Sequence, residues 1–191
     1  MVSRPRPRTI TFVSRNPGKA REVASVLAPF GLRVRWKRRE LPEPQAPSLA
    51  TVVAAKLEAV RDVPGYVLVE DSGLFVPSLR GFPGVYSAHF LEVWGFGPIF
   101  ELLRTRSRRA YFQTVAGLRH GRRVRTFTGE VHGSIALRAR GREGFGYDPI
   151  CVPRGGRHTF AEVPPEEKDA VSHRARAIRQ VGEFLATEPR W

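Results

Sequence analysis

Tyr66–Ala88, YVLVEDSGLFVPSLRGFPGVYSA, is the stretch whose reading decides the fold. It opens with Tyr66 to Glu70, apolar on both faces until the last residue. A run of that length bounded by turn signals reads as a strand buried from both sides, as in a parallel sheet. The strand is then expected to break into Glu70-Asp71-Ser72-Gly73, two acids and a hydroxyl on a flexible turn. Ligands of open α/β sheets sit outside the carboxyl ends of the strands, where this turn would lie. Adjacent carboxylates there are costly unless something cationic neutralises them. Mg²⁺, which prefers oxygen ligands, is the natural candidate; a solvated acidic turn capping a helix is the competing reading. Alternation along a strand sends Glu70 and Asp71 to opposite sides. Both reach one metal only if the chain turns at Asp71, which Gly73 would allow.

Upstream, Thr9–Ser14 (TITFVS) reads as a first strand running into Arg15-Asn16-Pro17-Gly18-Lys19. A helix follows, with Ala20, Val23, Ala24 and Leu27 at helical spacing. Pro17 near its start suits the fixed φ and missing N–H of proline. Strand, glycine turn and helix N-terminus together make an anion site, and Lys19 adds a point charge suited to phosphate. The loop is not a Walker A: its first glycine and the Ser/Thr after Lys19 are missing. Arg33–Lys37 (RVRWK) alternates like a second strand. Prolines make Leu41–Pro44 irregular and hold Glu43 in a stiff turn. Ser48 is placed to cap a helix through about Val60.

Downstream, Phe82, Tyr86, Phe90 and Trp94 recur every four residues, with Phe96 and Phe100 behind them. Such a stripe reads as core, or as a packing face between lobes or subunits. Ala110–Leu137 has the pattern of two or three antiparallel strands, with a turn at His120-Gly121. Next comes Gly144-Phe145-Gly146-Tyr147-Asp148-Pro149, where Phe145 is either a stacking surface or a glycine-flanked core aromatic. Pro164–Lys168 begins a helical turn, and Ser172-His173-Arg174 caps a last helix buried through Ala177, Ile178, Val181 and Leu185. His173 and Arg174 lie at its anion-favouring end.

At 191 residues the chain makes one domain or two tightly packed lobes. No apolar run approaches the ~18 residues of a membrane helix, and no signal-peptide core follows the basic N-terminus. A cytoplasmic protein is the default expectation. The single cysteine, Cys151, excludes an internal disulfide and a thiolate metal cluster. Only four of the 32 basic residues are lysines, Lys19, Lys37, Lys56 and Lys168, so 28 are arginine and the net charge is +14. That field draws polyanions, although genome composition or thermal adaptation produces the same excess. A nucleic-acid-binding module with Phe145 or Tyr147 for stacking leaves the acidic cluster unexplained.

Taken together, the motifs resemble the inosine triphosphatase family, the RdgB-like pyrophosphatases of non-canonical purine nucleoside triphosphates. Ser14–Lys19 is similar to that family's T/S-x-N-x-x-K opening. VEDSGLFVPSLRGFPGVYSA, GFGYDPI, TFAEVPPEEK and SHRARA are similar to its remaining signatures, in the same order, and the resemblance runs from Thr9 to Leu185. It implies an elongated, two-lobed α/β fold with a mixed, twisted central sheet flanked by helices and a substrate cleft between the lobes. A basic flexible tail (1–8) would precede a single domain (9–191). It implies Mg²⁺-dependent cleavage of dITP, ITP or XTP to the monophosphate plus pyrophosphate, with no stable nucleic-acid or membrane partner and a homodimeric assembly. By position, Ser14, Arg15, Asn16, Pro17, Gly18 and Lys19 would cradle the triphosphate. Glu43, Glu70 and Asp71 would hold Mg²⁺, with Asp71 the base for the attacking water. Ser72 would touch substrate, and Phe145, Gly146, Tyr147, Asp148, Lys168, His173 and Arg174 would bind the base and part of the phosphate chain. A related pyrophosphatase acting on modified pyrimidine or other damaged nucleotides is the second enzymatic reading. Three positions depart from the pattern. Ser14 replaces a common threonine, Cys151 replaces an aromatic, and alignment puts Ala55, beside Lys56, where many members carry a lysine.

Overall fold

The computed structural model describes residues 8–188 and 191, so the tail over 1–8 lies, except for Arg8, outside the described residues. Seven strands form one mixed sheet: β1 (Thr9–Val13), β2 (Arg33–Lys37), β3 (Tyr66–Phe75), β4 (Pro83–Gly84), β5 (Arg109–His120), β6 (Arg123–Ile135) and β7 (Cys151–Pro153). Their order is β2-β1-β3-β5-β6-β7, with β4 paired to β3 off this path. The first three strands are parallel to one another and the remaining pairs antiparallel. Helices α1 (Pro17–Leu27) and α2 (Leu49–Ala59) supply the crossovers that parallel strands require. β5 and β6 need only Gly121-Arg122, with Gly121 at φ +60° in the place where a tight hairpin turn takes glycine.

β3 corrects the expected break at Glu70. The strand continues through Glu70-Asp71-Ser72-Gly73 to Phe75 without turning. Its whole length is paired to β5, from Tyr66 opposite His120 to Phe75 opposite Tyr111. The ladder therefore holds the two acids extended and, by alternation, on opposite faces. Gly73 serves close approach rather than a turn: a Cβ there would lie 2.4 Å from the Gly84 carbonyl oxygen of β4.

Alternation along β3 also divides the core. Leu68 packs with Ile10, Phe12, Ala116 and Leu118 under α1 and α6 (His173–Thr187), the helix that follows α5 (Pro165–Val171). Val67 and Val69 face the opposite way, joining Val13, Val115 and the α2 residues Val53 and Leu57. A second core lies beyond, where Leu74, Phe112, Val131, Tyr147, Ile150 and Phe160 meet α3 (Ser87–Trp94) and α4 (Gly97–Leu102) through Phe90 and Ile99. Glu70–Gly73 is the section of strand that crosses from one core to the other. The aromatic stripe is only partly core: Phe90 is 4% exposed, whereas Tyr86 and Trp94 are 44% and 59% exposed. Cys151 is buried at 1% and its thiol is pushed well up by burial, which leaves it inert.

α6 is seated directly on β6 at Gly129, where a Cβ would come within 2.1 Å of the His173 carbonyl oxygen and 2.4 Å of the Ala177 nitrogen. Both neighbours are helix backbone, so neither can move without lifting the first turn of α6. Gly129→Ala is expected to destabilise the protein by about 2–3 kcal/mol, the scale of overpacking. Denaturant unfolding checks this, and an unchanged midpoint would mean that the helix slides freely.

Candidate active site

The loop between β1 and α1 forms from short-range bonds. Ser14 Oγ accepts from the Asn16 nitrogen at 3.1 Å, and Asn16 Oδ1 accepts from the Lys19 nitrogen at 3.2 Å as the N-cap of α1. Pro17 and Gly18 begin the helix. Ser14, Arg15, Asn16 and Lys19 line a cavity together with Glu43, Lys56 and Glu70. This brings the phosphate-type loop and two of the acidic candidates to one wall.

The strand alternation determines how the acids are neutralised. Glu70 receives Lys19 Nζ at 2.5 Å, Arg174 Nε at 3.4 Å and Ser72 Oγ at 2.6 Å. Burial alone would raise its pKa, but Lys19 and Arg174 outweigh burial and hold the carboxyl far below its usual range. Asp71, on the other face, pairs with Lys56 Nζ at 2.6 Å; the same ammonium reaches Glu43 at 3.1 Å and the Glu70 carbonyl oxygen at 3.4 Å. For Asp71 burial wins over Lys56, and its carboxyl sits above the usual 3.8. Lys56 stays protonated because Asp71 and Glu43 outweigh its own burial. Asp71 opens into a second cavity, shared with Glu43, Tyr86 and His89. Among the described residues no three acidic, histidine or cysteine side chains converge as a metal cluster. The convergence expected from a turn at Asp71 is absent, because the ladder to β5 prevents that turn. The structure also puts Lys56, rather than Ala55, against the acids.

A third cavity is lined by Asn16, Lys19, Ser72, Leu74, Leu91, Phe112, Phe145, Gly146, Tyr147, Asp148, His173 and Arg174. Its floor is a buried ionic chain. Lys168 Nζ bonds Asp148 Oδ2 at 2.6 Å and Glu22 Oε1 at 2.5 Å, and Glu22 Oε2 accepts from Arg174. The Phe145 ring lines the cavity and lies within cation–π range of both cations, with its centroid 4.6 Å from Lys168 Nζ and 5.2 Å from Arg174 Cζ. Asp148 Oδ2 also accepts from the Phe145 nitrogen at 2.7 Å, which fixes that ring's backbone. Tyr147 spends its hydroxyl on the Ser87 carbonyl at 2.9 Å and belongs to the second core. His173 is 6% exposed and held neutral by burial and by Arg174, and its Nδ1 has no partner among the described residues. Of the residues predicted to bind the base, Lys168 and Arg174 are engaged by Glu22, Asp148, Glu70 and Ser72 instead of presenting bare charge. Glu22 was not foreseen. Its signal was its place three residues after Lys19, on the same face of α1.

Two kinds of chemistry therefore adjoin at β3, a phosphate-type loop facing Glu43 and Glu70 and an aromatic slot beside buried cations, with Asn16 and Lys19 lining both cavities. The sequence profile of the Ham1 family matches residues 10–184, which is nearly the whole chain. This chain belongs to the Ham1 family. It is 43% identical over 178 residues to the dITP/XTP pyrophosphatase of Pyrococcus horikoshii, covering 92% of this chain and 96% of that one. It is 40% identical over 172 residues to the dITP/XTP pyrophosphatase of Methanosarcina mazei, covering 88% and 92%. Among solved structures, the Ham1 protein of Staphylococcus aureus superposes with a TM-score of 0.79 at 28% identity, covering 95% of this chain and all of that one. The dITP/XTP pyrophosphatase of Mycobacterium abscessus gives 0.67 at 35% identity, covering 91% and 97%. The Ham1 fold thus accounts for the mixed sheet and its flanking helices.

Proposed function

We propose that this Ham1-family chain hydrolyses dITP, XTP and ITP to the nucleoside monophosphate and pyrophosphate, clearing deaminated purines from the nucleotide pool. The relatives named as dITP/XTP pyrophosphatases support the reaction class. One observation carries the reading in this chain: the Ser14–Lys19 loop and the carboxylates Glu43 and Glu70 share a cavity wall, next to the slot holding Phe145 and His173.

The donor set fits Mg²⁺. That ion is commonly held by one or two carboxylates plus substrate phosphates rather than by an all-protein cage. Glu43 and Glu70 face the phosphate cavity and would hold it there, with Asp71 across the wall that Glu43 shares. When bound, the ion would neutralise phosphate charge and polarise a phosphoryl oxygen. The chain's own groups do the rest. The first turn of α1 and Lys19 bind and orient the triphosphate. Asp71, its carboxyl raised by burial, accepts the proton of the attacking water. Lys56 holds that carboxylate in place at 2.6 Å. Phe145 stacks on the base, and the apolar walls Leu74, Leu91 and Phe112 exclude water from it.

Hydrolysis of dITP in ¹⁸O-labelled water tests the reading. The label is expected in dIMP, with unlabelled pyrophosphate released; orthophosphate and a diphosphate would overturn attack at the α-phosphorus. Chelation followed by Mg²⁺ addition tests the metal separately.

A further inference from the structure

Thr114 of β5 stands directly opposite Ser72 of β3, and its side chain is completely buried. Paired residues in an antiparallel ladder share a face, so Thr114 lies under the same face as Glu70 and Ser72. Its hydroxyl is 2.7 Å from Ser72 Oγ. Distance alone leaves the donor open, but the surroundings decide it. Ser72 has one proton, and at 2.6 Å it meets Glu70 Oε2, an acceptor oxygen of the carboxylate that is ion-paired with Lys19 and Arg174. That proton goes to Glu70. Thr114 must then be the donor to Ser72, while Arg174 Nη2 donates to the same Ser72 oxygen at 3.3 Å. Ser72 has one donor and two acceptor positions, and all three are used.

We propose that Thr114 is a positioning residue for the pyrophosphatase reaction. Its hydroxyl orients Ser72 so that Ser72 holds the Glu70 carboxylate toward Lys19 and the phosphate cavity. The proposal rests on the function argued above but assigns a residue outside the cavity linings. Nothing about burial alone explains a threonine here. Valine has the same shape and would satisfy the same packing without a hydroxyl in need of a partner. A chain of hydroxyls ending on a charged acceptor is also mutually polarised, so its first member affects the last.

The test is a double-mutant cycle on kcat/KM for dITP. Thr114→Val is expected to lower it about tenfold, the scale of one buried hydrogen bond to a working group. Thr114→Ser, which restores the hydroxyl, should return it to within about twofold. In a Ser72→Ala background Thr114→Val should change it less than about twofold, because the relay is already cut. Wild-type kcat/KM in Thr114→Val, or an undiminished tenfold loss in the Ser72→Ala background, overturns the proposal. Thr114→Cys, whose thiol is a weak donor, replaces the valine variant if that one does not fold. Repeating the cycle on unfolding free energy separates this claim from the function. Non-additive losses support the Thr114–Ser72 bond even if the wild type ignores dITP, and additive losses sink it.

Discussion

Asp71→Asn is expected to lower kcat for dITP by about 10²–10⁴ while leaving KM within a few-fold, the scale of losing a positioned base. The substitution keeps volume and leaves an amide oxygen to accept from Lys56, which now sits 2.6 Å from the carboxylate. Lys56 also keeps Glu43 as an ion-pair partner, so its buried charge is not orphaned. Lost turnover therefore reports the missing proton acceptor rather than a collapsed pocket. The pH profile gives an independent reading. A base works only when ionised, so the rate should rise with pH through the pKa of Asp71. Burial places that value above the usual 3.8 despite Lys56. The acid limb should accordingly lie above the ordinary aspartate range and vanish from the residual activity of Asp71→Asn. An Asn variant with near-normal turnover and the same limb would move the base elsewhere.

The parts of this site legible in the sequence are those made by neighbours in the chain. The phosphate loop is strand, turn and helix start within residues 14–19, and its bonds span two or three residues. Ser48 and Ser172 cap their helices for the same local reason. Glu70–Gly73 failed as a turn because its signals were local and its fate was not. Acid and glycine lower strand preference, but ten consecutive pairings with β5 outweigh them. The charge partners were less legible still. Lys168 finds Glu22 across 146 residues and Arg174 finds it across 152, and helical spacing says nothing about which buried face a lysine will meet. One-residue alignment was also too coarse: Ala55 and Lys56 are adjacent, but only the second points at Asp71. The same network answers the question raised by two carboxylates on one strand. The pair was expected to need something cationic, with Mg²⁺ the natural candidate, and each acid has a lysine of its own from a different helix, Lys19 from α1 and Lys56 from α2.

The largest expected effect concerns the base. Hypoxanthine and xanthine present a carbonyl acceptor at C6 and a protonated N1, whereas adenine presents an amino donor and a bare N1. The slot lined by Phe145, Leu74, Leu91 and Phe112 is mostly apolar, so its few polar groups carry the discrimination. His173 is neutral, and a neutral imidazole can change tautomer to suit either base. The backbone N–H groups that open α6 at His173 and Arg174 cannot adapt: they have no intrahelical acceptor and can only donate. Ser172 Oγ satisfies the Ala175 nitrogen of that turn, and His173 and Arg174, the two residues before it, line the slot. An adenine amino group facing them would leave donors unpaired on both sides in a desolvated slot. Sites built on such bonds reject the mismatched partner by roughly 10⁴-fold. dITP and XTP are therefore expected to exceed dATP in kcat/KM by about that factor. ITP should follow dITP closely, with little concern for the 2′-hydroxyl. Guanine keeps the C6 carbonyl, so dGTP must fall between them unless its 2-amino group meets an apolar wall. Side-by-side kcat/KM values for dITP, XTP, dGTP and dATP decide the matter, and equal values for dITP and dATP would show that α6 does not read the base.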